Sequence, residues 1–123
     1  MKDIKVIVAT HKKYQMPTDD LYFPVHVGAE EKEDLGYIKD NEGDNISTKN
    51  PSFCELTGLY WAWKNLKADY IGLVHYRRYF FLKKKHYKTE KEKFENVLTL
   101  NEADKLLDET DIILPKKRKY YIE

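Results

Sequence analysis

Two short runs, Ile4-Lys5-Val6-Ile7-Val8-Ala9-Thr10 and Tyr70-Ile71-Gly72-Leu73-Val74-His75, place apolar residues at successive positions rather than alternating ones. A strand of that kind needs cover on both faces, which a sheet open to water on one side does not supply. The first run is rich in β-branched residues and ends in Thr10-His11-Lys12, as a central parallel strand does. The second is equally suited to the sheet centre. Leu21–Gly28 reads as a further strand, and its Pro24 favours an edge position or a strand start, because proline cannot donate to a ladder.

Helices are expected between these runs. Asn50 can cap a helix and Pro51 fits its first position, where no amide hydrogen is needed. Phe53, Leu56, Leu59, Tyr60, Trp63 and Leu66 then recur at helical spacing and define one apolar face, ending near Leu66 or Lys67. That spacing assigns Trp63 to the core and leaves one of Trp61 and Trp63 to line a pocket. Asn101 is expected to cap Glu102–Asp108, with Ala103, Leu106 and Leu107 inward, and Asp111–Pro115 reads as a last short strand stopped by its proline. Strand, strand, helix, strand, helix, strand implies an α/β fold: a mainly parallel, Rossmann-like sheet with flanking helices.

The 123 residues allow one domain at most. Residues 29–45 hold seven acids against two lysines and read as an exposed, mobile acidic loop; residues 83–96 read as a charged insertion. With 22 Lys+Arg against 21 Asp+Glu, the net charge of +1 removes the simplest argument for a nucleic-acid binder, although HYRRYFFLKKK and KKRKYY interleave basic and aromatic residues. Cys54 is the single cysteine, which excludes an intrachain disulfide framework and a cysteine zinc cluster; its apolar neighbours suggest a buried thiol. No segment approaches the roughly 20 apolar residues of a membrane span, so the cytoplasm is the expected compartment.

Ligands of open α/β sheets bind outside the carboxyl ends of the strands. That rule selects Thr10-His11-Lys12-Lys13-Tyr14, His75-Tyr76-Arg77-Arg78 and Pro115-Lys116-Lys117-Arg118, all basic in a protein that is neutral overall. The last is read as ordinary solvated chain. The arginine doublet, flanked by His75, Tyr76 and Tyr79, suits bidentate contact with an anion such as a diphosphate. His11 and His75 do not by themselves make a metal site. Asn45, Ser47 and Asn50 precede the helix and can meet a ligand or simply form turns and caps. Glu55 lies on the first turn, where a carboxylate complements the helix dipole or serves catalysis or sugar binding. The five glycines, at 28, 36, 43, 58 and 72, form no phosphate-cradling loop.

The segments VATHKKYQMP, DNISTKNPSFCELTGLYWAWKN, ADYIGLVHYRRYF and DIILPKKRKYY resemble the N-terminal half of a bacterial family known as a domain of unknown function, DUF4422. Its members occur in capsular and exopolysaccharide gene clusters and are treated as glycosyltransferases. The resemblance implies a glycosyltransferase fold of the A type that uses a nucleotide-diphosphate sugar, with uridine the expected nucleoside. It also implies a lipid-linked, glycan or lipopolysaccharide acceptor at the inner membrane face, with peripheral membrane contact. Thr10, His11 and Tyr14 would meet the nucleotide, and His75, Arg77 and Arg78 the diphosphate. Asn45, Ser47, Asn50 and Glu55 would line the sugar pocket, with Glu55 and His75 the catalytic candidates. Such folds usually hold Mg or Mn on an Asp-x-Asp pair; His75-Tyr76-Arg77 stands in the equivalent order, so no metal is expected. Family members run to about twice this length. The chain is therefore expected to be an incomplete, donor-binding half, prone to self-association and of doubtful activity alone. The alternative is a non-catalytic module binding a nucleotide or a partner chain.

Overall fold

The computed structural model describes residues 2–30, 32–82 and 87–114. The sheet has four strands, β1 (Ile4–Thr10), β2 (Tyr22–His26), β3 (Ile38–Lys39) and β4 (Tyr70–His75), in the order β3-β2-β1-β4 and parallel throughout. β1 lies inside the sheet, as its two-faced apolar run requires: Ile7, Val8 and Ala9 are almost completely buried. β4 pairs with β1 alone and is an edge among the described residues, which matches its mostly half-buried side chains. β2 is internal despite Pro24. Pairing with β3 starts only at Val25, so the proline lies before the doubly paired stretch.

Side chains of β1 alternate between two cores. Ile4, Val6 and Val8 join Leu21, Tyr22, Val74, Tyr76, Tyr79, Val97, Leu98, Ala103 and Leu107 on one face. Ile7 and Ala9 join Val25, Val27, Trp61 and Ala62 on the other. Helices cover each face.

The first face is covered by the short helix α3 (Glu90–Glu95) and by α4 (Leu100–Glu109). The cap of α4 is Thr99, two residues before the expected Asn101. Thr99 accepts from the Glu102 amide while the Glu102 carboxylate accepts from the Thr99 amide, a reciprocal box that satisfies two donors at once. Ala103 and Leu107 point inward as expected, and Leu106 packs half-buried beside them.

The second face is covered by α1 (Asn50–Phe53) and α2 (Leu56–Asn65), where one continuous helix was expected. The break is at Cys54, whose φ of 50° and ψ of −127° leave the helical region. Cys54 is also exposed, not buried. The inward face of α2 is Thr57, Gly58, Trp61 and Ala62, whereas Phe53, Leu56 and Trp63 are 45%, 51% and 65% exposed. The reason is close packing. A Cβ on Gly58 would sit 2.6 Å from Val27 Cγ1, so small residues face the sheet and a count of large apolar positions picks the wrong stripe. Trp61, not Trp63, is the core tryptophan, and its indole Nε1 donates to the Glu42 carbonyl at 2.8 Å.

Two further expectations change. Residues 29–45 contain β3 and Asp40, which is fully buried, so this acidic stretch is tied into the fold. Asp111–Leu114 forms no strand: the Thr110 hydroxyl closes a local turn on the Ile112 amide and carbonyl, and Ile112 and Leu114 are exposed. Pro115–Arg118 and Lys83–His86 lie outside the described residues. The rest of the charged insertion is anchored, since α3 is capped by Thr89 and sets Phe94 edge-on to Tyr79 at 5.6 Å.

Candidate functional site

The strands run parallel with little offset, so their carboxyl ends form one row. Lys39 is opposite His26, His26 opposite Thr10, and Ala9 opposite His75. The row carries imidazoles, a buried hydroxyl and a lysine, and the segments leaving it add rings and cations.

Tyr76 is the centre of the cluster. Its amide donates to the Ala9 carbonyl at 3.1 Å, which holds the chain against β1 beyond the end of β4, and its ring is buried. His11 meets that ring edge-on at 5.3 Å, while Tyr14 at 4.7 Å and His75 at 4.2 Å lie tilted against it. Tyr14 is in turn held by the Tyr37 hydroxyl, which donates to the Tyr14 carbonyl at 2.9 Å. Thr10 is buried, and its hydroxyl closes a turn with the Lys12 carbonyl and amide. It shapes the loop that carries His11.

Arg77 and Arg78 occupy a tight turn closed by the Arg78 amide donating to the His75 carbonyl at 2.8 Å. Both are exposed, and the Arg77 guanidinium lies 5.3 Å from the Tyr76 ring centre. Among the described residues no carboxylate lies within 4 Å of either guanidinium. Lys93 approaches the same turn, with Nζ 3.4 Å from the Arg77 carbonyl and 5.5 Å from the centre of the Tyr79 ring. Sequence reasoning missed Lys93 because it stands in the charge-dense insertion, where one lysine looks like the next.

His75 sits on the α2 side of the sheet. The Arg77 amide points at its Nδ1 at 3.3 Å, which leaves the proton of the neutral ring on Nε2, facing Glu55 Oε1 at 3.8 Å. Partial burial lowers its pKa most; Glu55 opposes that shift, while Arg77, His11 and Arg78 add to it. His11 and both arginines therefore share the electrostatic surroundings of His75. His26 is more deeply buried, and desolvation lowers its pKa too.

The turn residues ahead of α1 fall elsewhere. Asn45 is committed to the carbonyls of Asn41 and Gly43 and to the Ser47 amide. Ser47 is buried, with its hydroxyl donated to Asp40, so it holds the loop rather than meeting a ligand. Asn50 does not cap a helix by its side chain; its amide donates to the Cys54 carbonyl at 2.8 Å and to Thr57 Oγ1 at 3.0 Å. Asp40 was not singled out in the sequence, because one acid among seven carries no mark of burial.

A parallel sheet covered by helices on both faces, with a basic and aromatic carboxyl edge, defines a Rossmann-like α/β domain. The chain belongs to the DUF4422 family, described as a domain of unknown function, whose model matches residues 5–123. Its fold is that of a glycosyltransferase structure: the apo form of the bifunctional glycosyltransferase WbbM is 34% identical, with a TM-score of 0.73 over 86% of this chain. The match covers 21% of the WbbM chain, so this chain spans about a fifth of that protein's length. No curated protein matches. Among the described residues no helix is long and apolar enough to cross a membrane.

Proposed function

We propose that the carboxyl edge of the sheet binds a nucleoside-diphosphate sugar, a uridine one being tested first, and that the domain serves sugar transfer in capsular, exo- or lipopolysaccharide synthesis. One observation carries the reading. Two adjacent guanidinium groups, without a carboxylate partner among the described residues, share with His11 the electrostatic surroundings of His75 at a row of parallel strand ends. Unneutralised arginines at such an edge attract a multiply charged oxyanion, and their planar forks grip phosphate oxygens in pairs. His11 and Tyr14, set on the Tyr76 ring, offer surfaces for a nucleobase. Glu55 and His75 border the sugar, while Thr10, Asn45, Ser47 and Asn50 contribute by shaping the loops. The glycosyltransferase relationship of the fold supports this reading.

A divalent metal on the diphosphate would be usual in an A-type fold, but the residues at this turn do not suit one. Arg77 and Arg78 bring positive charge, His75 Nδ1 faces an amide hydrogen, and among the described residues no three His, Cys, Asp or Glu side chains converge. The guanidinium groups are assigned the neutralising role instead. The acceptor, a glycan or lipid-linked one, belongs to the same proposal, as does a place at the inner membrane face.

The test is a panel of nucleotides and labelled nucleotide sugars. Donor-dependent thermal stabilisation with release or transfer of the labelled sugar supports the reading. Stabilisation without either selects the non-catalytic nucleotide-binding module. No stabilisation by any nucleotide, with salt-dependent binding of oligonucleotides, overturns both.

A further inference from the structure

We propose that Asp40 is a positioning residue for the Glu55–His75 pair, acting through Thr57, Asn50 and the kink at Cys54. The proposal rests on the assignment of Glu55 and His75 to the site, and it concerns a residue more than a dozen positions away in sequence.

Asp40 is fully buried, and among the described residues no cation lies within 4 Å of it. Its charge is met by four donors. The Gly28 amide and the Thr57 hydroxyl reach Oδ2, each at 2.7 Å; the Ala29 amide reaches Oδ1 at 3.0 Å and the Ser47 hydroxyl at 2.6 Å. A buried carboxylate without a counter-ion persists only when such a set is complete.

The consequence lies one bond further on. The Thr57 hydroxyl has one proton and two acceptors in reach, Asp40 Oδ2 at 2.7 Å and the Cys54 carbonyl at 3.0 Å; donated along the shorter, charged contact, it leaves the oxygen's lone pairs to accept from Asn50 Nδ2 at 3.0 Å. The same Asn50 amide donates to the Cys54 carbonyl at 2.8 Å, which also receives the Thr57 amide at 3.2 Å. That carbonyl is the one turned aside by the φ and ψ of Cys54, the sole non-glycine with positive φ among the described residues. A side chain holds this conformation only where its surroundings impose it. The imposed kink ends α1 at Phe53 and lets α2 start afresh at Leu56 with Glu55 as its N-cap residue, which aims Glu55 at His75. Gly28 completes the arrangement, because a Cβ there would collide with the Asn50 amide at 2.5 Å.

The test reads the pair directly, without nucleotide. His75 is titrated by NMR of its imidazole nitrogens in the whole chain. Glu55, His11, Arg77 and Arg78 are the charged groups around it, and only Glu55 should move. In the wild type, Glu55→Gln is expected to make His75 titrate lower. In Asn50→Ala and in Thr57→Val, His75 is expected to titrate lower already, and adding Glu55→Gln to either should produce no further drop; Thr57→Ser should restore the wild-type behaviour. Asp40→Asn should match Asn50→Ala. Should it fail to fold, the Asn50 and Thr57 variants still decide. An equal Glu55→Gln effect in every background overturns the proposal, as does no effect in the wild type. Because no nucleotide is present, failure of the donor-binding reading would leave this result standing.

Discussion

Glu55 Oε1 faces His75 Nε2 at 3.8 Å, across the gap between the residue that precedes α2 and the last residue of β4. Two elements from different parts of the chain thus place a carboxylate and an imidazole at one edge of the sheet. The imidazole is 26% exposed and the carboxylate 42%, so both are within reach of a ligand.

Glu55→Gln keeps the shape and removes the charge. If the carboxylate handles a proton during transfer, turnover should fall by about 10²–10⁴-fold, the usual worth of a positioned acid or base. Donor affinity should stay essentially unchanged. Rate and binding measurements on the same preparation check this; parallel loss of both would assign Glu55 to binding instead.

The two tryptophans should differ sharply. Trp61 is 5% exposed and hydrogen-bonded, so Trp61→Ala should cost about 3–5 kcal/mol by chemical denaturation. Trp63 is 65% exposed, and Trp63→Ala should stay within about 0.5 kcal/mol. Comparable losses at both positions would contradict the orientation of α2.

Stability should fall on acidification. His26 and His75 both have pKa values lowered by burial, so below the ordinary value near 6.5 the unfolded chain binds protons that the folded one resists. Their contribution is complete above that value and is lost as the pH falls from it through their lower folded-state pKa values. His26 Nδ1 is buried without a hydrogen-bond partner among the described residues, so a proton added there finds no acceptor, and burial outweighs the opposing pull of Asp40. Melting temperature from pH 7.5 to 5.5 should decline, and His26→Gln should flatten the decline. An unchanged slope in that variant would show that other groups set it.

Much of this was legible in the sequence because it depends on short-range signals. The β-branched run of β1, the apolar run of β4 and the polar residues ending them fixed the parallel sheet and the edge where His11 and His75 stand. The illegible parts depend on contact distances. Gly58 and Ala62 let α2 approach the sheet, so the buried stripe is made of small residues and the larger Phe53, Leu56 and Trp63 face outward. Asp40 is buried where it accepts from the Ser47 and Thr57 hydroxyls, a pairing no periodicity reveals. The Thr99–Glu102 box was present in the sequence, but Asn101 was the more conspicuous cap.

Calorimetric titration with uridine diphosphate, in the wild type, Arg77→Ala, Arg78→Ala and the double variant, bears most directly on the donor site. A hydrogen bond to a charged group contributes about 1.5–3 kcal/mol, so each single variant should bind about 10- to 100-fold more weakly and the double variant weaker still. Indistinguishable dissociation constants across all four proteins would contradict the account.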